Sequence, residues 1–121
     1  MNEATFTQVV TNVLETMPLE FRPYLQQVDI LIADRPDRAH RRVAGIKPWQ
    51  TLYGLYEGVP LTERSSDSLF LPDTITIFRL PLVRDFPRRD ELHDQIRQTV
   101  LHEIAHVFGL SDERLRELGA Y

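Results

Sequence analysis

The chain has 121 residues, enough for one domain around one hydrophobic core, and the whole of 1–121 reads as that domain. Its 42% apolar and 26% charged residues suit a globular fold, and a formal net charge of −4 gives no basic excess for a nucleic acid. It contains no cysteine, which excludes disulfides and thiolate metal sites and leaves histidine and carboxylates as the available metal ligands.

In chain order, Phe6, Val9, Val10, Val13, Leu14 and Met17 recur at helical spacing. Asn2 or Thr5 is placed to cap this first helix, and Pro18 to end it. Residues 19–25, with Pro23, predict a short turn or helix. The β-branched run Val28-Asp29-Ile30-Leu31-Ile32-Ala33 predicts a buried strand. Residues 34–42 are arginine-rich and carry turn signals. They read as a solvated loop, because a short mixed-charge run without interleaved aromatics is a poor nucleic-acid footprint. Residues 52–58 predict a second strand, with Gly54 marking a bulge or a close backbone approach. An extended stretch at 59–61 and a polar loop at 62–68 follow. Residues 73–79, with threonine alternating with isoleucine, predict a third strand. Pro81 and Pro87 bracket the approach to a long helix capped by Asp85 or Asp90 and ending near Phe108. A short helix over 113–118 closes the chain at Gly119. This order predicts an α+β domain, a small sheet with helices packed against it.

No run approaches the roughly 18 apolar residues of a membrane span. The N-terminus also lacks a basic region followed by an apolar stretch, so a cytoplasmic monomer without membrane contact is expected.

The most informative segment is His102-Glu103-Ile104-Ala105-His106-Val107-Phe108-Gly109-Leu110-Ser111-Asp112, which reads H-E-x-x-H-x-x-G-x-x-D. On a helix each residue advances about 100°, so His102 and His106 lie within about 40° of each other and can grip one ion. Glu103 sits on the flank, displaced from the ligand set but near enough to take a proton from a metal-bound water. Gly109 permits the left-handed turn that ends a helix. Asp112 then has two possible roles: a third, oxygen ligand that leaves one open coordination position, or the cap of the last helix, which Ser111 could provide instead. Chance gives H-E-x-x-H in about one of a hundred shuffled chains of this composition, and the glycine and acid make the full pattern far rarer.

Around the helix, Gln95, Thr99, Glu103 and His106 share one wedge of about 100° with His102. Ile96, Val100, Leu101, Ile104, Ala105, Val107 and Phe108 occupy the rest of the circle, with the polar Asp94, Arg97 and Gln98 confined to the turns before Thr99. Such a helix is expected to be buried, and buried histidines and a buried glutamate must be paired or metal-bound. The wedge is expected to open into a cleft beside an edge strand, which can take an extended peptide as one more strand. Thr99 is expected to bond to backbone or pack, and Gln95 to be solvated or to support a metal ligand from behind. His40 and His93 read as surface residues.

Three segments carry a family resemblance: Gly54-Leu55-Tyr56-Glu57-Gly58-Val59-Pro60-Leu61-Thr62, then Leu71-Pro72-Asp73-Thr74-Ile75-Thr76-Ile77-Phe78-Arg79, and the block 99–118. Over about its C-terminal two-thirds the chain resembles the small zincin-like metallopeptidase domain of bacteria. The resemblance implies a minimal zincin fold, with a mixed sheet of about four strands packed on an N-terminal helix and the motif helix. It implies zinc on His102, His106 and Asp112, with Glu103 as general base acting on a peptide or protein substrate. The chain departs from the pattern in three ways. Aspartate stands where such zincins usually carry a third histidine, and no methionine follows it. Few residues remain beyond it, so a C-terminal subdomain able to wall a specificity pocket is not expected. Tyr121, Arg114 and Arg116 are candidates for stabilising an oxyanion, each with an ordinary surface role as the alternative. The competing function is a metal-binding interaction module with little proteolytic activity.

Overall fold

The computed structural model describes residues 1–58 and 73–117. Along the chain these form α1 (Glu3–Glu15), a 3₁₀ turn (Leu19–Phe21), α2 (Arg22–Leu25), β1 (Val28–Ala33), α3 (Arg38–Ala44) and β2 (Gly54–Glu57). After these come β3 (Asp73–Phe78), α4 (Arg79–Asp85), α5 (Arg89–Phe108) and α6 (Asp112–Glu117). The stretch expected to be extended at 59–61 and the loop at 62–68 lie outside the described residues.

Among the described residues the sheet has three strands in the order β1-β3-β2, one fewer than the resemblance implied. β1 runs parallel to β3, with Val28 opposite Asp73 and Ala33 opposite Phe78. β2 runs antiparallel, with Gly54 opposite Ile77 and Glu57 opposite Thr74. The domain is therefore α+β with a mixed sheet, and β3 is its central strand. β1 is an edge, not the fully buried strand its composition suggested: Leu31 is 48% exposed.

Side-chain alternation along β3 divides the fold. Ile75 and Ile77 point to one face, where they join Phe6, Val9, Val10 and Val13 of α1 and the α5 stripe Leu92, Ile96, Val100, Leu101 and Ile104. Each Leu, Ile or Phe side chain buried there contributes about 1.5–3 kcal/mol of transfer free energy. Phe78 points to the other face, where the His40 ring of α3 packs edge-on against it at 5.0 Å between centroids.

Several elements differ from their sequence reading, each for a local reason. The expected loop at 34–42 contains most of α3. Asp37 caps it, its Oδ1 accepting from His40 N at 2.7 Å, while His40 Nδ1 accepts from Asp37 N at 3.0 Å. His40 is thus a half-buried structural residue and not a surface one. α4 was not expected, because it contains Pro81. That proline lies in the first helical turn, where no intrahelical N–H donor is needed. α5 starts at Arg89 with no side-chain cap. Neither Asp85 nor Asp90 fills that role, and Asp90 Oδ1 accepts instead from the adjacent Glu91 N at 2.9 Å. At α1 the choice of cap falls on Asn2, whose Oδ1 accepts from Thr5 N at 2.8 Å.

Candidate functional site

One contact fixes how α5 approaches the sheet. Gly54 opens β2 on the face that packs against α5, and a Cβ there would fall 2.5 Å from Thr99 Cγ2. The missing side chain lets the helix lie almost on the strand, the close approach the sequence suggested. Thr99 behaves as expected: it packs here while its hydroxyl donates to Gln95 O at 2.8 Å. One turn later the helix presents His102, Glu103 and His106 to the outer edge of β2.

There the Tyr56 backbone N–H donates to Glu103 Oε2 at 3.3 Å. Tyr53 O accepts from Phe78 N at 2.9 Å, so by alternation the main-chain groups of Tyr53, Leu55 and Glu57 face β3 and those of Gly54 and Tyr56 face outward. The outward edge, the two histidines and Glu103 line one cleft of about 480 Å³. Its opposite wall is Val43, Ala44, Ile46 and Leu52, from α3 and the segment that leads to β2.

Glu103 is half-buried. Burial pushes its carboxyl above the ordinary glutamate value, while the Tyr56 N–H and the neighbouring His106 pull it back in part. That combination suits a carboxylate that must accept a proton in a partly dry site. The histidines lie differently from their sequence reading. Both are exposed, and so is Val107, at 37%. The inner arc of this last part of α5, Leu101, Ile104 and Ala105, carries the burial, while the outer arc faces the cleft.

Past Phe108 the chain turns at Gly109, whose φ of +72° is left-handed. The Leu110 N–H closes the helix end on Ala105 O at 2.9 Å. Ser111 then caps α6: its Oγ accepts from Arg114 N at 3.1 Å and its carbonyl from Leu115 N at 3.0 Å. Of the two caps considered the structure uses Ser111, and Asp112 becomes the first residue of α6, exposed, with the buried Leu115 anchoring that helix to the core. Asp112 is not among the residues lining the cleft.

The donor chemistry therefore fits a metal in part. Two imidazoles one turn apart and an adjacent carboxylate open to the same cleft. Among the described residues, however, no group of three or more His, Cys, Asp or Glu side chains is gathered closely enough to hold a metal ion. The set His102, His106 and Asp112 is not preassembled.

Arg114 and Arg116 do not line the cleft. Arg114 pairs with Glu117 at 2.9 Å and lies 3.8 Å from Glu20, an ordinary surface arrangement. Tyr121 lies outside the described residues. His93 is half-exposed, 3.9 Å from Asp94.

Sequence reasoning missed the apolar wall. Its signal was present as Val43, Ala44, Ile46 and Leu52 within a polar stretch, with Asp37 and His40 at capping-box spacing just before them. The wall comes from residues before β2, whereas the sequence reading concerned a C-terminal subdomain beyond Asp112.

Among the described residues no helix is long and apolar enough to cross a membrane. A family model described as zincin-like metallopeptidase matches residues 25–120, most of the chain. No curated protein matches the chain significantly.

Proposed function

Because the chain belongs to the zincin-like metallopeptidase family, we propose that it is a zinc-dependent endopeptidase that cuts extended peptide segments, with Glu103 as general base. The observation that carries this reading is the shared cleft, in which His102, Glu103 and His106 open onto the outer edge of β2. His102 and His106 would hold the zinc and Asp112 would be its third ligand. When bound, zinc supplies a Lewis acid for the scissile carbonyl and lowers the pKa of its water to about 7.

The remaining roles belong to this chain's own groups. The outward main-chain edge at Gly54 and Tyr56 aligns the substrate as an added antiparallel strand. Glu103 takes a proton from the attacking water and passes it to the departing amine. Its partial burial makes it a better proton acceptor than an exposed glutamate. The wall at Val43, Ala44, Ile46 and Leu52 excludes water and takes an apolar side chain next to the scissile bond. Asp112 would complete the ligand set only with a shift of the short segment between Gly109 and α6, since the three donors are not gathered together.

The test is zinc stoichiometry together with cleavage of a mixed peptide library by wild type, Glu103→Gln and Asp112→Ala. Wild type and Glu103→Gln should each hold one zinc, with turnover lower by about 10²-fold or more in the variant. Asp112→Ala should hold zinc much more weakly. Wild type that takes up no zinc, or Glu103→Gln that cleaves like wild type, overturns the reading.

A further inference from the structure

A second cleft, of about 500 Å³, shares no lining residue with the first and is lined by Arg35, Pro36, Arg41, Leu80, Pro81 and Arg84. It sits just past the C-terminal ends of the two parallel strands, since β1 runs into Arg35 and Pro36 and β3 into Leu80 and Pro81. Crevices at the carboxyl ends of parallel strands are the usual ligand position in open α/β sheets.

Its charge is concentrated. Three of the six lining residues are arginines and none is acidic, in a chain whose net charge is −4. Two of the three guanidinium groups of the cleft, Arg35 and Arg41, have no carboxylate partner among the described residues. Arg35 makes no hydrogen bond or ion pair among the described residues. Arg41 donates from one nitrogen to Gln50 O at 2.8 Å and Lys47 O at 3.3 Å, which orients the group without neutralising it. Arg84 is paired with Asp85 through two nitrogens, at 2.8 and 3.2 Å, so its charge is compensated while its position at the cleft is fixed.

We propose that this cleft binds a small ligand carrying clustered oxyanions, phosphate or carboxylate. Two of its three arginines are already oriented, and two prolines stiffen the walls. A ligand would therefore have little ordering to impose. The guanidinium fork suits both oxyanion types through paired N–H donors. The volume is that of a small-molecule site, larger than a lone halide needs. The site shares no residue with the zinc-ligand candidates, so it stands or falls separately from the peptidase reading.

The test is an amide and arginine side-chain NMR titration of the full chain at constant ionic strength. Inorganic phosphate and succinate are the probes, with sodium chloride as the reference. The expected result is saturable shifts at residues 35–36 and 80–84 with phosphate, succinate or both, and the tighter probe identifies the oxyanion class. Arg35→Ala should weaken binding about tenfold or more, and Arg35→Lys should weaken it too, because the paired donors are lost. Arg22→Ala, which removes the same charge elsewhere, should change it less than about twofold. Thermal melting checks that the variants remain folded. Shifts that match the chloride reference overturn the proposal. So do shifts centred on the α5 cleft, or Arg22→Ala and Arg35→Ala having equal effects.

Discussion

Replacing Gly54 with alanine tests whether the missing side chain is what holds α5 against β2. The new Cβ would lie 2.5 Å from Thr99 Cγ2 and 3.5 Å from Thr76 O. Carbon atoms rest at about 3.5–4.0 Å, so Thr99 must retreat by about 1 Å or rotate. Rotation disturbs its 2.8 Å bond to Gln95 O. Overpacking of this kind costs about 1–3 kcal/mol, and a domain of this size loses roughly 3–5 °C in Tm per kcal/mol. The Thr99→Ser change removes the offending methyl and keeps the hydroxyl, so the Gly54→Ala/Thr99→Ser double variant should recover most of the stability lost by Gly54→Ala. The coupling is read from thermal unfolding of the four proteins as a double-mutant cycle. Displacing α5 also carries Glu103 away from Tyr56 N, and a misplacement near 1 Å can lower turnover by about 10²-fold. A Gly54→Ala protein that melts with wild type, or a cycle without coupling, would refute the close-approach account.

Four further outcomes are expected. Gly109→Ala should cost about 1 kcal/mol in urea unfolding, because φ is +72° and no neighbouring atom obstructs a Cβ, so the penalty is backbone strain alone. Arg84 and Tyr53 hold the Asp85 carboxyl at about 2, below its ordinary 3.8, so its stabilising contribution is present above pH 3.8 and is lost as pH falls through about 2. The stability gap between wild type and Asp85→Asn should therefore close over that interval. Val43→Asp should leave Tm nearly unchanged, since Val43 is 59% exposed, but should raise KM selectively for peptides with a bulky apolar residue at the cut site. Finally, the core closes without contributions from His102 or His106, so the metal-free chain should be folded by circular dichroism and NMR dispersion. Zinc at a hundred times its Kd should add only about 2.7 kcal/mol, as a ligand that binds the folded state. A metal-free chain that is unfolded would make the ion structural.

Most of the scaffold was legible because its elements repeat. β1 was predicted with its observed bounds from a β-branched run. α1 and the end of α5 followed from apolar spacing and from a glycine where a left-handed residue is needed. α3 and α4 were not legible, because α3 carries no apolar stripe and α4 contains Pro81. α3 depends on one capping box and on the contact of His40 with Phe78, which joins residues far apart in sequence. The pairing order of the strands, which makes β2 the edge beside the motif helix, is likewise a tertiary choice that no local pattern encodes. For the candidate site, spacing was enough to place His102, Glu103 and His106 on one cleft. It could not show that Asp112 lies outside that lining, because a glycine turn leaves the direction of the next segment open.

The exposure of the histidines explains why the site can occupy the end of a core helix. The wheel assigned burial to most of the circle, yet only an arc is covered, since β2 is four residues long and is the last strand on that side of the described sheet. Beyond Thr99, α5 keeps Leu101, Ile104 and Ala105 on the core while its other side overhangs the strand edge. Burying two imidazoles and a carboxylate would demand fixed partners in every state of the site. Leaving the imidazoles exposed removes that demand, and only Glu103 is partly dried, with the Tyr56 N–H supplying its compensation. The cleft therefore arises from two local events, the side-chain-free approach at Gly54 and the capping of α3 by Asp37. One sets the height of the motif helix over the strand, and the other raises the apolar wall facing it.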